Sequence, residues 1–580
     1  MFYLPESKKR YYRYFGLLAV VVLGVVSILG TGGSGDSAPT PPPTPSVIAA
    51  SPAQSSDTAL VTTEVTAQFS ENMDPLTINA NSFQLHDSSA NPIVGSVTFY
   101  TQYDGHDNVA VLISSNDLNI NEEYFATITT EAKDTSGNPL SHEYNWSFFI
   151  APALVPVSTD GAGSFGNTGI DTSSPSTPNA TGEYIVFTSI DNLAGVATGG
   201  KLQIYRKNTV TGQTELVSTD NSGNPANSDC SSPRISDTGR YVVFASTANN
   251  LDTSITNLGG FSHIYFKDMR DGTISLLDKS INNLGQAGNG DSSLPDISGI
   301  PNAGSGKYVV FQSNANDLHP NDTDVTATNA DSDIFLVNIG AGTVTLVSVD
   351  SDEVKGNGAS ISPRVTDSGQ HVVFESIATN LLGVGNDTNG MRDIFLRDLN
   401  ATTTSLISLA SGGGAANGAS SSADISTDGN FVAFQSDASN LLPAGVDSNG
   451  ATDIFLRNIS ASSTTRLSVN ATGNQVTGAS IRPSISGNGQ YVAFESQSAS
   501  LVVPDSNLGV TDIFVRDKDT ANTIRRISVS NLGAQGSTSS TQAAISTNGR
   551  YVSFTTNNNF DSTDFINSPD IYRAYNAALP

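Results

Sequence analysis

One phrase of about sixty residues recurs through roughly the last three-quarters of this 580-residue chain, and its parts do not begin and end together. The phrase opens on an apolar strand: YIVF at Tyr184, YVVF at Tyr241 and Tyr308, HVVF at His371, FVAF at Phe431, YVAF at Tyr491 and YVSF at Tyr551. A second strand follows about twenty residues later, as in DIFLRD at Asp393 and DIFVRD at Asp512. A third comes next, as in LVSVD at Leu346 and RLSVN at Arg466. The final copy keeps its first two strands, at Tyr551 and at Asp570, but lacks the third. The missing piece stands before the first copy, where VSTD at Val157 is identical to VSTD at Val217. Such an offset lets a ring of repeats close on itself, so the pattern predicts a seven-bladed β-propeller whose N-terminal strand completes the last blade.

Each unit reads roughly S-x-P-x-I-S-x-x-G-x-Y-V-V-F-x-S, a loop, D-I-F-L-R-D, a turn, then T-x-L-V-S-V. SPRISDTGRYVVFAS (Ser232 to Ser246) and SPRVTDSGQHVVFES (Ser362 to Ser376) show it well. This repeat resembles that of TolB-type periplasmic proteins, which is also seen in the propellers of prolyl oligopeptidases. The resemblance covers seven units. It departs from both families in what accompanies the propeller: no α/β domain precedes it, and no sequence is left for a hydrolase domain.

Ahead of the repeats, residues 46–151 read as short alternating strands between turn clusters such as YDGHDN and DTSGNP. FSENMDPLTIN (Phe69 to Asn79), DTSGNPL (Asp134 to Leu140) and YNWSFFI (Tyr144 to Ile150) resemble the SbsA-type bacterial Ig-like domain of envelope proteins. That resemblance implies a spacer or adhesion module. Trp146, the one tryptophan, is expected in its core.

The first thirty residues carry Lys8, Lys9, Arg10 and Arg13 before an apolar run from Phe15 to Leu29, the layout of a secretory signal or membrane anchor. Ile28-Leu29-Gly30 and the Gly/Ser stretch after it resemble a lipoprotein signal, but Thr31 stands where the lipidated cysteine belongs. Residues 31–45 form a Gly/Ser then Pro-rich linker. The expectation is therefore an all-β extracytoplasmic protein: segment 1–30, linker 31–45, β-sandwich 46–151 and propeller 153–578. Periplasm, cell surface and secretion all stay open, with membrane contact only through the N-terminus.

A net charge of −28 excludes a nucleic-acid partner, whose phosphates demand a basic footprint. Cys230 has no second cysteine to pair with. The six histidines are scattered, no G-x-S-x-G elbow is present, and Ser236-Asp237-Thr238-Gly239 departs from the sialidase Asp box. Catalysis is thus not expected, although propeller sugar lyases with scattered histidines keep a carbohydrate-processing alternative alive. The primary expectation is a binding scaffold for an envelope protein or peptide. A cell-wall glycan ligand and a purely structural surface role are the alternatives.

Two constellations are candidate sites. Acidic loops precede the second strand: Asp387, Asn389 and Asp393; Asp447, Asn449 and Asp453; Asp505, Asn507 and Asp512; and, more loosely, Asp322, Asp324, Asp331 and Asp333. Alternating Asp and Asn can ligate calcium, or they can simply bond their own backbone as turns. The second constellation lies on the first strand of each repeat, where the residue before the Ile/Val runs Thr177, Arg234, Asp296, Arg364, Asp424, Ser484, Ala544. Facing a channel, these residues would make an ion-pair belt that braces the blades, or a site for a carboxylate or peptide terminus.

Overall fold

In the computed structural model, residues 44–576 are described apart from 53, 55, 60–63, 104–105, 117, 120–121, 151–153, 167–169, 171–174, 256–258, 284, 300–307, 323–330, 384, 521–522, 532, 559 and 561–567. The signal and most of the linker lie outside these residues, as does Asp324. The described residues form strands and no helix, so none of them makes a helix able to cross a membrane.

Two four-stranded sheets build the N-terminal unit. One orders Val47–Ser51, Val65–Phe69, His106–Ser114 and Gly95–Tyr103; the other orders Ser56–Ala59, Tyr144–Ile150, Glu123–Ile128 and Phe83–Asp87. Period-two alternation buries Val65, Ala67 and Phe69 against Phe83, Trp146 and Phe148. Trp146 is 3% exposed and stacks at a tilt on Phe83, 5.9 Å between ring centroids, so it is a core residue as expected.

Seven further four-stranded antiparallel sheets follow among the described residues. Their first strands are Thr177–Pro178, Cys230–Ile235, Ser292–Ile297, Ser360–Val365, Ser420–Ile425, Ser480–Ile485 and Ser540–Ile545, which number the sheets one to seven. The second strand of each is apolar on both faces because it is covered on both sides by neighbouring sheets. No sheet closes on itself. In the seventh, Leu154–Pro156 takes the fourth place beside Asp570–Tyr575, as the offset in the repeat anticipates. First strands of successive sheets touch, and that of the seventh touches that of the first.

A polar latch recurs inside the sheets. The hydroxyls of Ser348, Ser408, Ser468 and Ser528 donate to Asp333, Asp393, Asp453 and Asp512 at 2.5–2.7 Å. In the second sheet the pair becomes His263 and Asp278, 2.8 Å apart. Cys230 occupies a place held by serine in later sheets. Its Sγ lies 3.3 Å from Ser246 Oγ, and complete burial pushes the thiol up to about 12, the state of a packing residue.

Candidate functional site: a charged belt on the first strands

The first strands bring the predicted belt together. Arg234 donates through Nη1 to Thr177 Oγ1 at 2.9 Å, and its Nε lies 3.6 Å from Asp296 Oδ1. Asp296 Oδ2 accepts the Val365 N–H at 3.0 Å. Arg364 Nε lies 3.8 Å from Asp424 Oδ1, whose Oδ2 accepts the Ile485 N–H at 2.9 Å. Ser484 Oγ then accepts the Ile545 N–H at 3.2 Å. One chain of contacts thus stitches sheet one through sheet seven.

These side chains are largely buried among the first strands, with 15% exposure left at Arg234 and Asp296. Loss of bulk solvent, reinforced by the Arg364 charge, pulls Arg234 down to about 10, against the pull of Asp296 and Asp424. Burial likewise raises Asp424, opposed by Arg364. Both arginines bond through Nη1, Arg364 to Pro363 O at 2.8 Å. Neither Nη2 has an acceptor among the described residues.

Three residues beyond each belt position lies a second layer of contacts between the first strands. The N–H groups of Thr427, Gly487, Asn548, Ala180 and Asp237 donate in turn to the carbonyls of Gly487, Thr547, Ala180, Asp237 and Gly299. Gly299 N–H donates to Asp367 Oδ1 at 3.0 Å, and Thr547 Oγ1 reaches across to Asp237 Oδ1 at 2.6 Å. The approach is close enough to require glycine: a Cβ on Gly299 would sit 2.3 Å from Asp237 Oδ2, and one on Gly487 would sit 2.3 Å from Thr547 Cγ2. Burial, then the Asp237 charge, pushes Asp367 up to about 6, while the Gly299 N–H opposes the rise. The belt was legible from the repeat; this layer was not singled out, although the same register locates it.

At the opposite end every first strand from sheet two onward carries a bulge with a residue in the left-handed region: Ser232, Leu294, Ser362, Ser422, Arg482 and Gln542. The bulge N–H groups of the last four donate to Gln312, Glu375, Gln435 and Glu495 of the preceding sheet. Arg482, itself on this rim, pairs with Glu495 at 3.2 Å and remains half exposed.

The acidic loops lie elsewhere, each beside its own sheet. Asp447 and Asp453 share Arg466, at 3.4 and 3.6 Å from Nη1. Asp505 and Asp512 share Arg526, at 3.5 and 3.1 Å. Asp322 and Asp333 share Lys355, at 3.9 and 3.0 Å. Asn449 and Asn507 bond the second aspartate of their own loops. These bridging cations were not anticipated, since they come from neighbouring strands and turns rather than from the loops. The fourth-sheet loop holds Asn389 Nδ2 at 2.7 Å from Asp393 Oδ2, with Asp387 beside it.

Comparison with known proteins places the first unit. Residues 41–149 match the bacterial Ig-like domain family. The match covers the Ig-like domain and leaves the seven repeat sheets outside it. No curated protein has significant similarity to the chain. Solved structures similar to it include a prolyl endopeptidase, at 11% identity over 71% of this chain and 51% of that one, TM-score 0.40. A puromycin-hydrolyzing peptidase from Mycobacterium tuberculosis is similar at 13% identity over 70% of this chain and 52% of that one, TM-score 0.38. The WD40 repeats of RRP9 are similar at 9% identity over 73% of this chain and 99% of that one, TM-score 0.38. The chain spans about half the length of the two peptidases.

Proposed function

We propose that the protein is a non-catalytic binding scaffold of the bacterial envelope, in which an Ig-like spacer carries a seven-bladed TolB-like propeller closed by its N-terminal strand. Its basic-then-apolar N-terminus exports or tethers it. The open channel mouth takes an acidic segment or chain terminus of an envelope protein. What supports this reading is that Arg234 and Arg364 bond through Nη1 while neither Nη2 has an acceptor among the described residues. Guanidinium forks in a partly desolvated site favour carboxylates. Arg482 on the rim extends the cationic path outward. The acidic second layer restricts a carboxylate to the belt level, away from Asp237 and Asp367.

The test immobilises the purified chain and challenges it with envelope extract and with isolated cell-wall glycan, beside Arg234→Gln and Arg364→Gln variants of unchanged melting temperature. Retention of one protein partner by the parent and its loss in both variants is expected. Binding that survives both substitutions would remove the channel from the interface. Retention of glycan alone, with fragments released over time, would instead establish the carbohydrate-processing alternative.

A further inference from the structure

Four sheets repeat one arrangement, and one of the four lacks a part. In sheets three, five and six a loop aspartate and the first aspartate of the second strand are bridged by a positive side chain: Lys355 on Asp322 and Asp333, Arg466 on Asp447 and Asp453, Arg526 on Asp505 and Asp512. The cations enter from two positions. Arg466 and Arg526 stand opposite Phe455 and Phe514 in the strand register, where the fourth sheet has Leu406 opposite Phe395. Lys355 faces Val349 across its turn, where the fourth sheet has Ala415 facing Leu409. Both entry points of the fourth sheet are therefore uncharged, while its carboxylates are retained.

Those carboxylates are deeply placed, Asp387 at 5% exposure and Asp393 at 0%. Asp393 is satisfied by Ser408 Oγ and Asn389 Nδ2. Asp387 accepts a single long contact, 3.4 Å from Asn389 N, among the described residues. A buried carboxylate without hydrogen bonds or a counter-charge is costly, and here it sits beside a second carboxylate. The three sister sites show what belongs between such a pair, namely positive charge.

We propose that Asp387 and Asp393 bind one divalent cation of the calcium class, supplied by solution where the sister sheets supply Lys355, Arg466 and Arg526, while the Asn389 amide braces Asp393 from the side. Calcium suits hard oxygen ligands in an irregular loop, and two carboxylates balance its charge. Few protein ligands imply a weak extracellular-type site, with Kd roughly 10⁻⁴–10⁻³ M. Magnesium, which demands a tighter octahedron, is held less well.

The test measures calcium binding to the whole chain by equilibrium dialysis, together with its melting temperature in calcium, magnesium and sodium chlorides at equal ionic strength. The parent should bind one equivalent and melt about 1–2 °C higher in calcium at ten times Kd. Asp387→Asn, nearly isosteric, should abolish both effects. Ala415→Lys, which imitates Lys355, should abolish them while raising the calcium-free melting temperature. Absence of binding at 10 mM calcium (a concentration about ten times the weak end of that Kd range), or binding that persists in Asp387→Asn, would overturn the proposal.

Discussion

Ser158 and Asp570 stand 412 residues apart in the chain, yet the Ser158 hydroxyl donates to Asp570 Oδ1 at 2.7 Å. In sheets three to five the same latch joins residues only 15 apart. Ser158 Oγ also accepts the Ile571 N–H at 3.0 Å, so one hydroxyl holds both side chain and backbone of the last strand. Ser158→Ala removes the hydroxyl that holds both a buried carboxylate and a buried N–H, and should cost about 1–3 kcal/mol. The check is chemical denaturation beside Ser468→Ala, which breaks the equivalent local latch. Equal losses are expected. A silent Ser158→Ala with a costly Ser468→Ala would mean that the N-terminal strand is not integral to the seventh sheet.

Asp367 binds a proton more readily folded, at about 6, than unfolded, at an ordinary 3.8. Between these values the native state holds more protons, so this group's contribution to stability falls as pH rises, and the full penalty applies above about 6. Asp367→Asn, which can still accept from Gly299 N–H, should stabilise the protein at pH 7.5 by on the order of 1–2 kcal/mol. The gain should vanish below about pH 4. Melting curves of parent and variant across that range decide it, because the difference cancels other raised carboxylates such as Asp333.

Gly487→Ala would drive its Cβ to within 2.3 Å of Thr547 Cγ2. Overpacking in this layer should cost about 1–3 kcal/mol. Thr547→Ser removes the nearer of two offending methyls, the other being Thr427 Cγ2 at 2.8 Å, and keeps the hydroxyl that reaches Asp237, so the double variant should regain part of the loss. Additive rather than compensating effects would mean the two residues do not meet.

Arg466 is enclosed with Asp447 and Asp453, with 6%, 6% and 0% of their side chains exposed. Arg466→Met strands two buried carboxylates and should destabilise by about 3–5 kcal/mol. Added calcium should restore part of that stability, by taking between Asp447 and Asp453 the place proposed for it in the sheet-four loop. A variant as stable as the parent in the absence of calcium would show that the arginine is not needed for charge balance.

Much of this was legible in the residues themselves. The strand order, the displaced third strand, the Ig-like strands with Trp146 inside, and the belt running Thr177, Arg234, Asp296, Arg364, Asp424, Ser484 all follow from local periodicity. Side-chain alternation and a fixed repeat length place equivalent residues at equivalent heights. What lay beyond reach depends on distance between strands that share no local pattern. The aspartates of the acidic loops are visible in any copy, but Arg466, Arg526 and Lys355 reach them from 13 to 33 residues away along the chain.

Sequence alone therefore determined the repeat, its offset and the residue types presented at each level, because these are consequences of backbone sterics and hydrophobic alternation read over a few residues at a time. Tertiary structure decided which of those residues meet. Thr547 finds Asp237 across 310 residues only because the seventh sheet returns to the side of the first and second. Asp387 lacks a cation only because Leu406 and Ala415 occupy the two places from which its sister sites receive one. Contacts of that kind are set by how the sheets pack on one another, a property of the whole assembly that no single copy of the phrase contains.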